Sequence, residues 1–217
     1  MPSWNIHTAH VERLLREEGA ESLGVRDANA FLLGNLAPDI YVGYMVLDTT
    51  FRIDYKLTHH ASREHIPLPR YDEFWSFYIA GHRSVSDVTL GAWAHLVADH
   101  VYNAHTRAYL TSIGVEAGER ARIGKQGDFA LFGRTLDISL VPHVDDALLA
   151  QCAAFPPYSI LERDLHGAVA SAQRIVEKNQ AEHLAEVPDY QLLTAEFFDV
   201  ASEEAHATIV AGLKSRL

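Results

Sequence analysis

Cysteine is almost absent from the sequence, which has one, Cys152, among 217 residues. Neither a disulfide framework nor a zinc module built from several cysteines can therefore form. Positive charge is also scarce, since 18 Lys and Arg residues stand against 29 Asp and Glu residues, for a formal net charge of −11. Binding of duplex nucleic acid depends on basic side chains that neutralise phosphates, so this balance argues against it. A small phosphate ester is not excluded, because a bound metal ion would supply positive charge locally.

Long uninterrupted hydrophobic runs are missing as well. The most hydrophobic window, residues 31–47, is broken by Asn35, Pro38 and Asp39, and it therefore predicts no membrane span. Residues 1–20 lack the basic start and apolar run of a signal peptide. We therefore expect a soluble, cytoplasmic protein.

Histidine, in contrast, is plentiful, with 13 residues, and three of them fall in one mostly apolar window over residues 91–105. This window predicts a long helix on which His95 and Asp99, four residues apart, leave the same face. Imidazole nitrogen and carboxylate oxygen are both ligands for zinc and similar divalent ions. The segment is too apolar to be a solvated surface, so these two side chains need partners. A metal ion would be one such partner.

Periodic apolar residues predict further helices on both sides of this one. The first is expected to be capped by Thr8 and the second, a short one, by Asp27. The other predicted helices cover residues 71–80, 87–109, 118–123, 145–154, 159–180 and 192–217. Residues 48–70 are predicted to form an extended loop. We therefore expect one all-α domain over residues 1–217, a helical bundle around a central buried metal-ligating helix.

Candidate metal ligands fall on four separate predicted elements. They are His7 or His10 at the start of the first helix, Asp39 in a turn, His59 or His60 in the extended loop, and His95, Asp99 and His105 on the central helix. Each has a structural explanation when taken alone, since a single histidine often bonds a carbonyl and an aspartate after proline often caps a turn. Their conjunction favours a metal site, because Asp39 and Asp99 both lie in apolar surroundings where an unpaired carboxylate is costly.

The same residues resemble the zinc-dependent phospholipase C family, whose fold the single-strand-specific fungal nucleases share. The matching residues are Trp4 and His7, then Leu36-Ala37-Pro38-Asp39, then Thr58-His59, then His95 and Asp99 with His105. The resemblance covers roughly residues 4–105, and the H-x-x-x-D-x-x-x-x-x-H spacing is its most specific part. It implies an all-helical enzyme with a cluster of three zinc ions, in which a metal-activated water attacks a phosphodiester.

Carried over to this sequence, the resemblance implies one metal ion held by Asp39, His59, His95 and Asp99. Asp99 would bridge to a second ion held by His7 and the chain start, and His105 would belong to a third position. Asp39 would also orient or deprotonate the attacking water, and would thus be the catalytic residue.

Two departures from the family pattern bear on the number of ions. Met1, Pro2 and Ser3 precede Trp4, whereas processing of the secreted members exposes this tryptophan, whose terminal amine is a ligand. His10 is an alternative ligand at this early position. After His105 the sequence also lacks the further histidine and acid of the family. We therefore expect one or two zinc ions, with the third position doubtful.

The sequence therefore predicts a zinc-dependent, phospholipase C-like hydrolase that acts on a small phosphate ester or a phospholipid headgroup. The alternative is a catalytically inactive helical metal-binding or scaffold protein of the same fold. A third class, the helical phosphohydrolases with an adjacent His-Asp pair, is less favoured because the sequence contains no His-Asp dipeptide.

Overall fold

The structure, a computed structural model, describes residues 2–62 and 64–217. Over these residues it contains helices and no strand, which confirms the prediction of an all-α fold. The helices are α1 (Trp4–Glu17), α2 (Ala28–Gly34), α3 (Ala37–Ile40), α4 (Tyr55–Thr58), α5 (Tyr71–Tyr78), α6 (Asp87–Ser112), α7 (Glu119–Arg134), α8 (Asp146–Ala153), α9 (Glu162–Ala181) and α10 (Ala195–Lys214). A short 3-10 helix, Glu21–Leu23, connects α1 and α2.

Helix α6 is the central element, as predicted, and its 26 residues make it the longest helix of the described chain. Ser86 caps it by accepting a hydrogen bond from the Thr89 amide at 3.2 Å. Every residue from Asp87 to Asp99 is buried, so the helix is surrounded by others instead of presenting one face to solvent. Helices α2, α3, α5 and α10 pack against it.

Two glycines let α2 and α6 approach backbone to backbone. A Cβ atom on Gly91 would lie 2.1 Å from the carbonyl oxygen of Phe31, and one on Gly34 would lie 2.2 Å from that of Val88. No larger residue fits at such a crossing without moving a helix. The close approach brings the residue after α2, Asn35, directly against the middle of α6.

The first helix begins earlier than the sequence predicted. Thr8 is not its N-cap, because α1 begins at Trp4 and is preceded by Ser3. Trp4, Val11 and Leu14 are all fully buried, so the apolar stripe of the helix extends back to Trp4 and continues the helix in that direction. His7 consequently lies inside α1 on its buried face instead of at its start.

The predicted turn at Asp39 and the predicted loop over residues 48–70 each contain a short helix. Pro38 occupies the first turn of α3, where a missing amide hydrogen has no cost. Asp54 caps α4 by accepting from the Lys56 amide at 3.0 Å, and α4 ends immediately before His59. These two helices determine where the side chains of Asp39 and His59 lie.

The second half of the chain forms helices α7 to α10, and α7 continues to Arg134, beyond the predicted residues 118–123. Asp128 on α7 accepts hydrogen bonds from the amides of residues 191–193, each at 2.8 Å, and thereby ties the start of α10 to α7. Among the described residues, no helix is both long enough and apolar enough to cross a membrane.

Candidate metal site

Five of the six predicted metal ligands meet in the interior. They are His7 from α1, Asp39 from α3, His59 after α4, and His95 and Asp99 from α6. We call these residues the five-residue cluster. Asp39 is 6% exposed, Asp99 is 1% exposed, and the three histidines are completely buried. Side chains from four separate elements, far apart in sequence, thus converge on one buried point.

Asp39, His59 and His95 form one half of the cluster together with one oxygen of Asp99. His59 Nε2 lies 3.1 Å from His95 Nε2 and 3.6 Å from Asp39 Oδ1. Asp99 Oδ2 lies 3.6 Å from His59 Nε2 and 3.9 Å from His95 Nε2. Ligands about 2.05 Å from a tetrahedral zinc ion are about 3.3 Å from one another. The separations in the structure bracket this distance. Asp39, His59 and His95 lie close enough to hold an ion together, and so do His7, His95 and Asp99.

His7 and the other oxygen of Asp99 form the second half. His7 Nε2 lies 3.5 Å from Asp99 Oδ1, and the His7 ring stacks on the His95 ring with centroids 3.8 Å apart. Neither His7 Nε2 nor Asp99 Oδ1 has a hydrogen-bond partner among the described residues, although both are buried. Buried polar atoms in proteins are nearly always paired. An ion between these two atoms would satisfy both.

Hydrogen bonds outside the cluster determine which nitrogen of His59 and of His95 is free. His95 Nδ1 is 2.8 Å from the Asn35 carbonyl oxygen, so it must carry the proton and donate it. His59 Nδ1 is 2.7 Å from Thr58 Oγ1, and the Thr58 hydroxyl itself donates to the Tyr55 carbonyl at 3.1 Å. His59 Nδ1 is therefore also the donor.

Because both Nδ1 atoms carry the proton, the Nε2 lone pairs of His59 and His95 face each other at 3.1 Å. Two acceptors at this distance repel unless a cation or a proton lies between them. Metal-binding histidines characteristically donate their other ring nitrogen to a carbonyl or a hydroxyl. His59 and His95 have this arrangement before any ion is considered.

The two carboxylates are each oriented by one neutral donor. Trp4 Nε1 donates to Asp39 Oδ2 at 3.1 Å, and the Tyr55 hydroxyl donates to Asp99 Oδ2 at 3.2 Å. The Tyr55 ring also stacks on the His59 ring, with centroids 3.8 Å apart. In the described part of the chain, no lysine or arginine forms an ion pair with either carboxylate. Trp4 and Tyr55 therefore orient the acids without neutralising them.

Burial and mutual charge shift the pKa values of the cluster. Burial lowers the pKa of His7 to about 4, and the neighbouring His95 acts in the same direction. The pKa of His59 is also held well below its usual value, by burial and by His95. Burial raises the pKa of Asp39 to about 6, and the charge of Asp99 adds to this effect.

Asp99 behaves in the opposite way. Burial acts to raise its pKa, but the neighbouring imidazoles of His7 and His95 outweigh burial and hold the pKa below the ordinary value. At neutral pH both carboxylates of the cluster are therefore ionised, while His7 and His59 are neutral. The buried site carries negative charge, and its chemistry suits a divalent cation with nitrogen and oxygen ligands.

The structure does not bring His105, the sixth predicted ligand, to the cluster. Its Nε2 lies 2.8 Å from Glu204 Oε2 on α10, and its side chain is partly exposed. Ten residues after His95, it is about 80° around the helix from that residue. The sequence pattern included it only because of its spacing.

The structure also distinguishes His7 from His10 and His59 from His60. His10 is buried, but its Nε2 contacts the Tyr102 hydroxyl at 3.2 Å. His60 has a left-handed backbone conformation, with φ of 50°, and its Nδ1 lies 3.8 Å from Glu73. Neither belongs to the cluster, so His7 and His59 are the members of their pairs that do.

Sequence reasoning missed the residues that support the ligands. Asn35 acts through its backbone carbonyl, which no sequence pattern reveals. Trp4 was part of the family resemblance, but its hydrogen bond to Asp39 was not predicted. Tyr55 was not predicted either, although its position four residues before His59 in a turn of helix was a usable signal.

Tyr55 also separates the cluster from the protein surface. It lines a surface cavity of about 350 Å³ together with Lys56 and His65, while its hydroxyl contacts Asp99 on the inner side. Three larger surface cavities, of about 1020, 540 and 440 Å³, are lined by residues outside the cluster. The cavity at Tyr55 is thus an approach from solvent that ends one side chain away from the ligands.

No family model, curated protein or solved structure matches the chain. What the site does must therefore be inferred from its residues and their geometry.

Proposed function

We propose that this protein is a zinc-dependent hydrolase of phosphate esters, similar to phospholipase C, and that the five-residue cluster is its zinc site. One observation supports the metal above all others. The Nε2 lone pairs of His59 and His95 face each other at 3.1 Å. Asp39 Oδ1 and Asp99 Oδ2 each lie 3.6 Å from His59 Nε2. A divalent cation between these atoms would satisfy both nitrogens and compensate the buried carboxylates.

Zinc fits this donor set better than a harder ion does. Two imidazoles and two carboxylates suit zinc, whereas magnesium and calcium prefer oxygen ligands throughout. The first ion would be held by Asp39 Oδ1, His59 Nε2 and His95 Nε2. Asp99 Oδ2, which is 3.6 Å from His59 Nε2, would lie beside it.

A second ion would bind less tightly. His95 Nδ1 is occupied by the Asn35 carbonyl, so His95 offers one nitrogen and can serve only one ion. The second position is then left with His7 Nε2 and Asp99 Oδ1, which are 3.5 Å apart, and Asp99 would bridge the two ions. We therefore expect one tightly bound zinc ion and a weaker second one.

Zinc bound in such a site would lower the pKa of a coordinated water and polarise a phosphoryl oxygen. Asp39 is the only residue of the five-residue cluster whose exposed fraction is greater than 1%. Its Oδ2 has one lone pair left after accepting from Trp4. We assign to Asp39 the role of orienting the attacking water and accepting its proton at Oδ2. The substrate would be a small phosphate ester or a phospholipid headgroup.

The test combines metal analysis with a hydrolysis screen. Purified protein is analysed for zinc and assayed on phosphodiesters and phosphomonoesters, beside the variants His95→Gln and Asp99→Asn. We expect zinc in the wild type, and loss of both zinc and hydrolysis in the two variants. His105→Gln is a matched control, because it changes the same residue type on the same helix outside the cluster. Retention of zinc and full hydrolysis in His95→Gln would refute the assignment.

A second candidate function is metal binding without catalysis, as in a scaffold protein. It is favoured by the depth of the cluster, since no member is more than 6% exposed and Tyr55 lies between the ligands and the nearest cavity. Structural zinc sites are closed, whereas catalytic ones keep a position open to substrate. Zinc in the wild type without turnover of any phosphate ester would favour this second function.

A further inference from the structure

Lys125 on α7 is a buried lysine without a counter-ion among the described residues. Its side chain donates to Asn103 Oδ1 at 2.8 Å, and its Nζ lies 5.4 Å from the centre of the Phe129 ring. The residue is only 4% exposed. An ammonium group has three N–H donors, and among the described residues Asn103 accepts one of them. Burying a charge in this way is costly unless an anion is present.

Asn103 connects this lysine to the metal site. Asn103 follows Asp99 by four residues on α6, so these two side chains are neighbours on the helix surface, one turn apart. Asn103 is fully buried, and its Nδ2 donates to the Pro67 carbonyl at 2.8 Å. The amide can therefore turn only its oxygen towards Lys125. The spacing places Asn103 about 6 Å along the helix from Asp99.

We propose that Lys125, held by Asn103, binds an oxygen of the phosphoryl group of the substrate at the five-residue cluster, a role that rests on the proposed function. A purely structural contact to Asn103 needs a hydrogen-bond donor but no charge. A phosphoryl group, in contrast, needs positive charge beside the metal, and the protein as a whole repels it with a net charge of −11. Lysine is a common phosphate-binding residue and acts as a point charge.

The electrostatic surroundings agree with this role. Burial lowers the pKa of Lys125, and the charge of Asp99 acts in the opposite direction. Asp99 is thus close enough for its charge to be felt at the ammonium group. An anion bound between the cluster and Lys125 would be attracted by both the metal and the ammonium group.

The experiment measures binding of inorganic phosphate to the full chain by calorimetry, once with zinc and once with a chelator. Lys125→Gln keeps a donor for Asn103 but removes the charge, and Lys125→Arg keeps the charge. We expect Lys125→Gln to raise the dissociation constant of phosphate about tenfold or more, while Lys125→Arg retains most of the affinity. Zinc content should be unchanged in both. Lys214→Gln is the control, because Lys214 is exposed and pairs with Glu18 at 2.7 Å.

Equal phosphate affinity in the wild type and Lys125→Gln would overturn the proposal, and so would the absence of phosphate binding by the wild type with and without zinc. A lysine with a structural role would instead lower the Tm of Lys125→Gln and leave phosphate affinity unchanged. The proposed function can fail separately. Zinc without hydrolysis refutes that function, whereas a loss of phosphate affinity in Lys125→Gln still establishes the role of Lys125 in binding.

Discussion

Replacing Asp39 with asparagine should have opposite effects on stability with and without metal. In the metal-free protein the pKa of Asp39 rises from 3.8 to about 6 on folding. A raised carboxyl pKa means that the folded state holds the proton more tightly than the unfolded state does. Asp39 therefore costs no stability below pH 3.8, and the cost grows as the pH rises through 6.

The magnitude follows from the size of the shift. A difference of about two pKa units corresponds to about 3 kcal/mol. Above pH 6, ionised Asp39 lowers the free energy of unfolding of the metal-free protein by this amount. Asparagine has nearly the same shape, remains neutral, and still accepts the hydrogen bond from Trp4. For a chain of this length, the gain corresponds to an increase in Tm of roughly 6–12 °C.

With zinc the order should reverse. A ligand that binds only the folded state stabilises it by about 2.7 kcal/mol at a free concentration of 100 times Kd. Asp39→Asn lacks a charged ligand and should lose much of this stabilisation. The wild type should then melt at a higher temperature than the variant.

The assay is thermal unfolding followed by circular dichroism at pH 4, 5.5 and 7.5, with chelator and with zinc. Asp39→Asn should exceed the wild type only with chelator, and the difference should disappear towards pH 4. Asp137→Asn, at an exposed position, should stay within about 0.5 kcal/mol of the wild type throughout. If Asp39→Asn were the less stable protein in chelator at pH 7.5, the carboxylate would have a partner other than metal, and the reasoning would be wrong.

Further predictions concern residues that support the cluster. Thr58→Val removes the acceptor for His59 Nδ1, and zinc affinity measured by chelator competition should fall about 10- to 100-fold with little change in helix content. Gly91→Ala forces a Cβ atom to within 2.1 Å of the Phe31 carbonyl, so it should separate α2 from α6 and cost about 1–3 kcal/mol in urea unfolding. Its control, Gly127→Ala, meets nothing within 4 Å and should be neutral or stabilising by about 0.5–1 kcal/mol. Unchanged zinc affinity in Thr58→Val would refute the role of Thr58, and equal stability of the two alanine variants would refute the close crossing.

Local pattern was sufficient for the fold class and for the centre of the site. The mostly apolar window over residues 91–105 favours a buried helix, and a spacing of four places His95 and Asp99 on one face of it. The amphipathic stripes of α9 and α10 were equally readable, because helical periodicity is a property of neighbouring residues. The start of α1 was wrong because Ser3 and Thr8 both resemble helix caps. Only the burial of Trp4 distinguishes them.

The choice between adjacent histidines required the tertiary structure. His59 and His60 have the same chemistry, and which one faces the cluster depends on where the four-residue helix α4 ends. His105 has a suitable spacing but meets Glu204 from α10, a contact between residues 99 positions apart. The Asn35 carbonyl reaches His95 because two glycines let α2 and α6 touch.

The sequence by itself therefore determined the helical fold and the pair His95 and Asp99, since both follow from interactions within a few turns of one helix. The family resemblance named His7, Asp39 and His59 as ligands, but only the tertiary structure shows that they meet this pair and that Lys125 contacts Asn103 on α6. These residues are distant in the chain, and their meeting depends on how whole helices pack. Packing of this kind is set by the sum of many burial and contact energies and not by any local pattern.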